Sequence, residues 1–273
     1  MRLFAWLLVW VGAWAAATAG AATVTSAMGG KQIVVLGELH GTWESPAFTQ
    51  RLVTDAIARG QTVLLGIESD DALANAAKSI SQAQHCEQFL ALPFWSRQLT
   101  SQDGRSSVAM AKLWCWAIEY PNRSVLGVMG IDQQRPEESL RAFEEQVQRL
   151  SPDMVVFLMG SSHAQKKDAD RAKRNFVELA SASAPMFGVQ RFVMAHGGGT
   201  AWNCQVTCTA HRYAGQPQLA PRNSSANGLY LWSRLDAENG LRSVPNYLLD
   251  LYDGIYWIEH VSSSSPLSAP TAQ

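Results

Sequence analysis

The stretch Ile33-Val34-Val35-Leu36-Gly37-Glu38-Leu39-His40 decides the fold. Its first four residues form an apolar, β-branched run with no polar alternation, which reads as a strand buried on both faces. Gly37 ends the run. Ser45 then stands in N-cap position with Pro46 at the first helical position. Phe48, Leu52, Val53, Ala56 and Ile57 share one helical face, and Gly60 supplies the stop. Thr62 to Ile67 is a second apolar strand. Strand, helix and strand joined by short connections make a βαβ unit, so the two strands are expected to be parallel with a right-handed crossover.

The same alternation recurs downstream. Ser124 to Met129 reads as a strand ending at Gly130-Ile131-Asp132. A helix follows Pro136, with Leu140, Phe143, Val147 and Leu150 on its buried stripe. Met154 to Met159 is the next strand, ending at Gly160-Ser161-Ser162-His163. A polar-faced helix is expected from about 164 to 179, and Met186 to Met194 is a further strand candidate. This pattern indicates an α/β fold, with a mainly parallel β-sheet flanked by helices on both faces. Residues 70–121 interrupt the rhythm and read as a helical cap insertion carrying Trp95, Trp114 and Trp116, whose rings are assigned to the packing of that insertion. Residues 197–245, rich in Gly, Pro, Asn and Ser, read as an irregular excursion pinned by a disulfide. The single domain is expected to span 23–261, with 262–273 a flexible tail. No internal repeat of fixed period is present.

At 273 residues and 47% hydrophobic, the chain has material for one sizeable core. Its 22 basic and 23 acidic residues nearly cancel and form no block of like charge, which argues against a nucleic-acid partner. Arg2, the uncharged run Leu3 to Ala22 and the small residues around Ala17–Ala21 follow the pattern of a secretory signal peptide, assigned to residues 1–22. The mature chain would carry 21 basic against 23 acidic residues. No later stretch is long and apolar enough to cross a bilayer, so no stable membrane span is expected after signal cleavage and the location is periplasmic or secreted. An even number of cysteines in an oxidising compartment suggests disulfides. Cys204 and Cys208 are near enough to close a small loop, which leaves Cys86 with Cys115 across the helical insertion.

Polar residues fall repeatedly just past apolar strands. Glu38 and His40 follow the first, Glu68 ends the second, Asp132 the next, and His163 the one after. Sites in open parallel sheets form outside the carboxyl ends of the strands. A single Glu there is commonly a cap, and a lone His commonly a hydrogen-bonded structural residue, but Glu38, His40, Glu68 and His163 together point to one active site. Two chemistries suit the set. Imidazole and carboxylate groups hold a divalent ion such as Zn or Mn with a position open for water, or a His acts as general base on water with a Glu orienting it. A G-x-x-H spacing occurs twice, at Gly37–His40 and Gly160–His163.

Three segments carry a family resemblance: Val34-Val35-Leu36-Gly37-Glu38-Leu39-His40-Gly41-Thr42, Gly66-Ile67-Glu68 and Met159-Gly160-Ser161-Ser162-His163-Ala164. In order and spacing, over most of 31–180, they resemble the superfamily of erythromycin esterases, ChaN-like haem-binding proteins and TraB/TIKI-type metalloproteases. The resemblance implies a parallel α/β domain with a helical cap. The esterase branch implies that His40 acts on a hydrolytic water with help from Glu68. The TIKI branch implies a metal held by His40, His163 and Glu68, and the ChaN branch implies haem.

Asp103-Gly104-Arg105 offers Arg105 as an anion clamp over the site, and Asp132, close to Arg135, is a second substrate-binding candidate. His196 and His260 are assigned structural or surface roles, and His85 and His211 are bystanders. The sequence thus predicts an exported hydrolase cleaving an ester or amide bond of a small-molecule or peptide substrate; the alternative is a haem- or iron-compound-binding protein.

Overall fold

The apolar run at residues 33–36 lies in the middle of a seven-stranded sheet. A computed structural model describes residues 30–70, 73, 86–97, 102–166, 175–221, 227–233, 235 and 244–267. The expected signal peptide and residues 268–273 of the expected tail lie outside them. The sheet contains β1 (Gln32–Glu38), β2 (Val63–Glu68), β3 (Leu126–Ile131), β4 (Met154–Gly160) and β5 (Gly188–His196), together with β8 (Gly228–Leu231) and β9 (Gly254–Ile258). Their order is β3-β2-β4-β1-β5-β9-β8. Every pairing is parallel except that of β8 with β9.

Alternation along β1 shows why the strand had to be apolar throughout. Val34 and Leu36 enter one core layer with Phe48, Leu52 and Trp114, whereas Ile33 and Val35 enter the other with Phe143, Phe157 and Phe176. The first layer is covered by α1 (Glu44–Ala58), α2 (Cys86–Leu90) and α3 (Val108–Ile118). The second is covered by α4 (Pro136–Leu150) and α6 (Phe176–Ser183). Where described, residues 70–121 carry the helices α2 and α3 with turns around them, and they cover a sheet face. Trp95 and Trp114 are fully buried against Phe89, as the packing assignment expected; Trp116 is partly buried.

The chain reverses direction across the sheet at β3. Helices on one face accompany the steps from β1 to β2 to β3, and helices on the other accompany those back through β4 to β5. β1 and β4 are neighbours whose following helices leave to opposite faces, which opens a crevice at their carboxyl ends.

Several boundaries differ from expectation. α1 begins at Glu44 with Trp43 as its cap residue; Ser45 is buried inside the first turn, where its hydroxyl meets Tyr256 Oη at 3.1 Å. The helix expected over 164–179 is interrupted. A single turn, α5 (Ser161–Ala164), ends at Gln165, whose backbone is extended, and Lys166 N donates to Leu251 O while α6 starts afresh with Asn175 as its cap. Tertiary hydrogen bonds here replace the helical ladder.

The excursion at 197–245 is more regular than expected: β6 (Gly199–Cys204) and β7 (Cys208–Tyr213) form an antiparallel hairpin, and β8 joins the main sheet. Tyr213 and the downstream residues then lead through a short 3-10 turn at Pro217–Leu219. Ser262–Leu267, expected to be flexible, is a strap. Ser264 N donates to Gly41 O, Val108 N to Ser265 O and Leu267 N to Ser106 O, and Ser264 is fully buried. A last short helix, α7 (Asn246–Leu251), precedes β9.

Both expected disulfides, Cys86–Cys115 and Cys204–Cys208, are formed. Among the described residues, no helix is long and apolar enough to cross a membrane. Both observations are compatible with an exported protein.

Candidate active site

The two G-x-x-H segments lie side by side because β1 and β4 pair in parallel, with Glu38 opposite Gly160. The glycines make this approach possible. A Cβ on Gly37 would stand 3.0 Å from Ala164 Cβ and 3.1 Å from Ser161 Cα, and one on Gly160 would stand 2.8 Å from His40 Nε2. Each motif's glycine therefore accommodates the other motif.

His40 leaves the end of β1 with its ring held by Glu38, whose Oε1 lies 2.9 Å from His40 Nδ1. Glu38 is buried beneath it, so the carboxylate fixes the ring and leaves Nε2 directed toward Gly160. Glu68, at the end of β2 and also buried, accepts a 2.7 Å hydrogen bond from Gly160 N at Oε2. Its Oε1 faces Arg105 Nη1 at 3.5 Å and His163 Nε2 at 3.9 Å. Arg105 is held in turn by Asp103, whose Oδ2 accepts from Nε at 2.9 Å and from Nη2 at 2.6 Å. His163 is the most open of these, with its side chain 43% exposed at the rim.

These groups border a cleft of about 720 Å³. His40, Glu68, His163, Arg105 and Asp132 all line it, and Glu38 supports it from below. Asp132 also serves its own turn: its carboxylate accepts from Gln134 N at 2.8 Å, and its backbone N donates to Ser139 Oγ at 2.9 Å. His196 lies elsewhere, with its Nδ1 accepting from Gly198 N at 3.1 Å, and His260 is on the surface. His211 is tied to Thr207 O within the hairpin, and His85 lies outside the described residues.

Sequence reasoning missed Ser69, Asp70 and Arg97, which also line the cleft. Asp70 and Arg97 form an ion pair, and the Arg97 guanidinium lies 4.3 Å from the centre of the Phe94 ring. Ser69 and Asp70 continue directly from Glu68, so the strand end was a readable signal for them. Nothing local marks Arg97.

The surroundings of His40 favour its charged form. Burial works against a charged His40, but the carboxylates of Glu38, Glu68 and Asp103 outweigh it and raise its pKa to about 9. His40 is thus an imidazolium at neutral pH and becomes a base only as the pH rises. Burial also disfavours both charges of the Asp103–Arg105 pair, yet their mutual attraction keeps the carboxyl below and the guanidinium above its ordinary range.

The metal set His40, His163 and Glu68 does not fit a three-ligand centre. Among the described residues, no three His, Cys, Asp or Glu side chains stand in metal-holding geometry. Glu68 is already engaged by Gly160 N and faces the Arg105 cation. Haem fits no better: all twelve residues lining the cleft are polar or charged, and a porphyrin needs apolar walls.

If His40 is the base of a hydrolytic site, Gly160→Ala places a methyl group against Nε2, on the side of the ring from which it would meet water. Because the clash is with the tip of a side chain, the fold is expected to survive while turnover falls on the order of a hundredfold. A melting curve beside initial rates checks this; retained turnover would mean that the chemistry lies elsewhere.

Fold and cleft together define a doubly wound α/β protein with a His/Glu site at a topological switch point. No protein-family model matches the chain, and neither does any curated protein. Among solved structures, the chain is similar in fold to a succinoglycan biosynthesis protein, with a TM-score of 0.52, 11% identity, and coverage of 88% of this chain and 90% of that one. A Bacillus cereus protein gives a TM-score of 0.49 at 11% identity over 87% of this chain and 90% of that one. The type III effector HopBA1 gives 0.36 at 13% identity over 68% and 88%. The first likeness supports the α/β fold alone.

Proposed function

We propose that this protein is an exported hydrolase that cleaves an ester or amide bond in the cleft above β1, β2 and β4. The observation that carries this reading is the Glu38–His40 pair, with Nε2 turned toward a polar cleft beside Glu68 and Arg105. His40 Nε2 takes a proton from water while Glu68 accepts that water's second hydrogen and orients it. The oxygen adds to the substrate carbonyl, and Arg105 faces the developing oxyanion. The imidazolium, stabilised by Glu38, then returns the proton to the leaving alkoxide or amine. The resemblance to the esterase branch, which implies these roles for His40 and Glu68, supports the reading. The haem-binding alternative predicts a Soret band on haem addition, but the polar lining of the cleft does not favour it.

The pH profile tests the mechanism. With a midpoint at about 9, His40 is neutral in only about 1% of molecules at pH 7. A base must be neutral, so kcat/KM for p-nitrophenyl acetate or a peptidyl p-nitroanilide is expected to rise about tenfold per pH unit from 7 and to level off near 9. Activity is expected to persist in EDTA. A wild-type rate no higher than the spontaneous one across both probes would rule out the hydrolase reading. A rate that falls above pH 9 would make His40 an acid instead.

A further inference from the structure

We propose that Trp202, in the disulfide-closed hairpin, is a positioning residue that holds the loop carrying His40 against the loop carrying Asp103 and Arg105. The inference rests on the cleft being the active site. Its basis is a three-way contact of backbone segments. Trp202 N donates to Gly41 O at 2.9 Å, one residue past His40. The indole Nε1 donates to Gln102 O at 3.1 Å, one residue before Asp103. One side chain and its own backbone thereby bond both site-bearing loops.

The loops also touch each other directly. Gly41 and Gly104 both have positive φ, at +75° and +93°. A Cβ on Gly41 would lie 1.7 Å from Trp202 O, and one on Gly104 would lie 2.5 Å from both Trp202 O and Gly41 N. Only glycine allows this approach. Further bonds brace the assembly from behind: Ser264 N shares Gly41 O, Ala109 N donates to Ser264 Oγ, and Leu267 N donates to Ser106 O. In the hairpin, Trp202 pairs with Ala210, and the Cys204–Cys208 disulfide closes the ladder two residues further on. The hairpin lies outside the main sheet and adds no residue to the cleft lining. Its contribution to the site is therefore to set the distance between the two loops.

Trp202→Phe keeps an aromatic ring and removes the N–H donor. In protein labelled at glycine, the Gly104 Hα to Gly41 amide proton NOE reads the loop contact directly, and NOEs between β1 and β4 report the intact sheet. The expected result is loss or strong weakening of the first with the second unchanged. It should be accompanied by a fall in kcat of about tenfold with KM within about twofold, since positioning acts on the reacting geometry. An undiminished Gly104–Gly41 NOE would overturn the proposal, and so would a lost NOE with unchanged kcat. If Trp202→Phe does not fold, Cys204→Ser/Cys208→Ser loosens the same clamp from its tip and is judged by the same criteria. Should the wild type turn over neither probe, the hydrolase reading fails on its own, and the NOE still decides whether Trp202 clamps the loops.

Discussion

His40→Ala is expected to lower kcat/KM by roughly a thousandfold, within the range supplied by a positioned general base. The size of the effect follows from how completely the imidazole is committed to the cleft. Glu38 holds Nδ1 at 2.9 Å, and Gly160 leaves the space in front of Nε2 free. No other lining residue combines a neutralisable ring with a buried carboxylate behind it: His163, at the rim, has Glu68 at 3.9 Å as its nearest carboxylate contact. Glu68→Gln keeps the shape and removes the charge that orients water, so its loss should be smaller, about a hundredfold. Removing His40 leaves Glu38 buried without its cation, which costs stability. Melting curves therefore accompany the rates, and His40→Gln, which retains a polar partner for Glu38, serves as the control for folding. If folded His40→Ala retained wild-type kcat/KM, the assigned base would be wrong whatever the reaction.

Cys86→Ser/Cys115→Ser is expected to give the largest loss of stability among the single linkages. The bridge closes a loop spanning 29 residues, and the chain-entropy estimate for such a loop is roughly 3–4 kcal/mol, against about 2 for the four-residue span of Cys204–Cys208. For a chain of this size that corresponds to a fall in melting temperature on the order of 10 °C. The effect should reach the cleft as well, because the bridged segment carries Arg97 and the Asp103–Arg105 pair. Calorimetry of the oxidised protein and the double variant measures the difference. A melting point within about 3 °C of wild type would show that the packing of Phe89, Trp95 and Trp114 holds the segment without the bridge.

Much of this architecture was legible because it is encoded locally. Ile33–Leu36, Thr62–Ile67 and Met154–Met159 are apolar without alternation, which only a doubly covered strand accommodates, and the helices between them show amphipathic stripes. β9, beyond the expected excursion, carried no assignment although Ile255-Tyr256-Trp257-Ile258 is rich in strand formers. The β6–β7 ladder was hidden: its outward residues are polar, so glycine and asparagine content masked the hydrogen-bonded register. The strap at Ser262–Leu267 has a composition typical of a loose tail; its order comes from bonds to Gly41, Glu44, Ser106 and Val108, distant in sequence.

The sequence by itself determined the strand ends that bear Glu38, His40, Glu68, Asp132 and His163, because period and punctuation are properties of consecutive residues. It also favoured, among the three possible pairings of four cysteines, the one that the structure carries. Only the tertiary structure decided what those residues are to one another. The register of β1 with β4 brings Gly160 against His40 and bonds it to Glu68. Three carboxylates from separate segments outweigh burial and make His40 a cation at neutral pH. Arg105 faces Glu68 at 3.5 Å, beside the residues that one of the two chemistries read from the sequence would give to a metal. Charge and proton affinity depend on distances across the fold, and those distances are fixed only when the strands are in register and the loops are clamped.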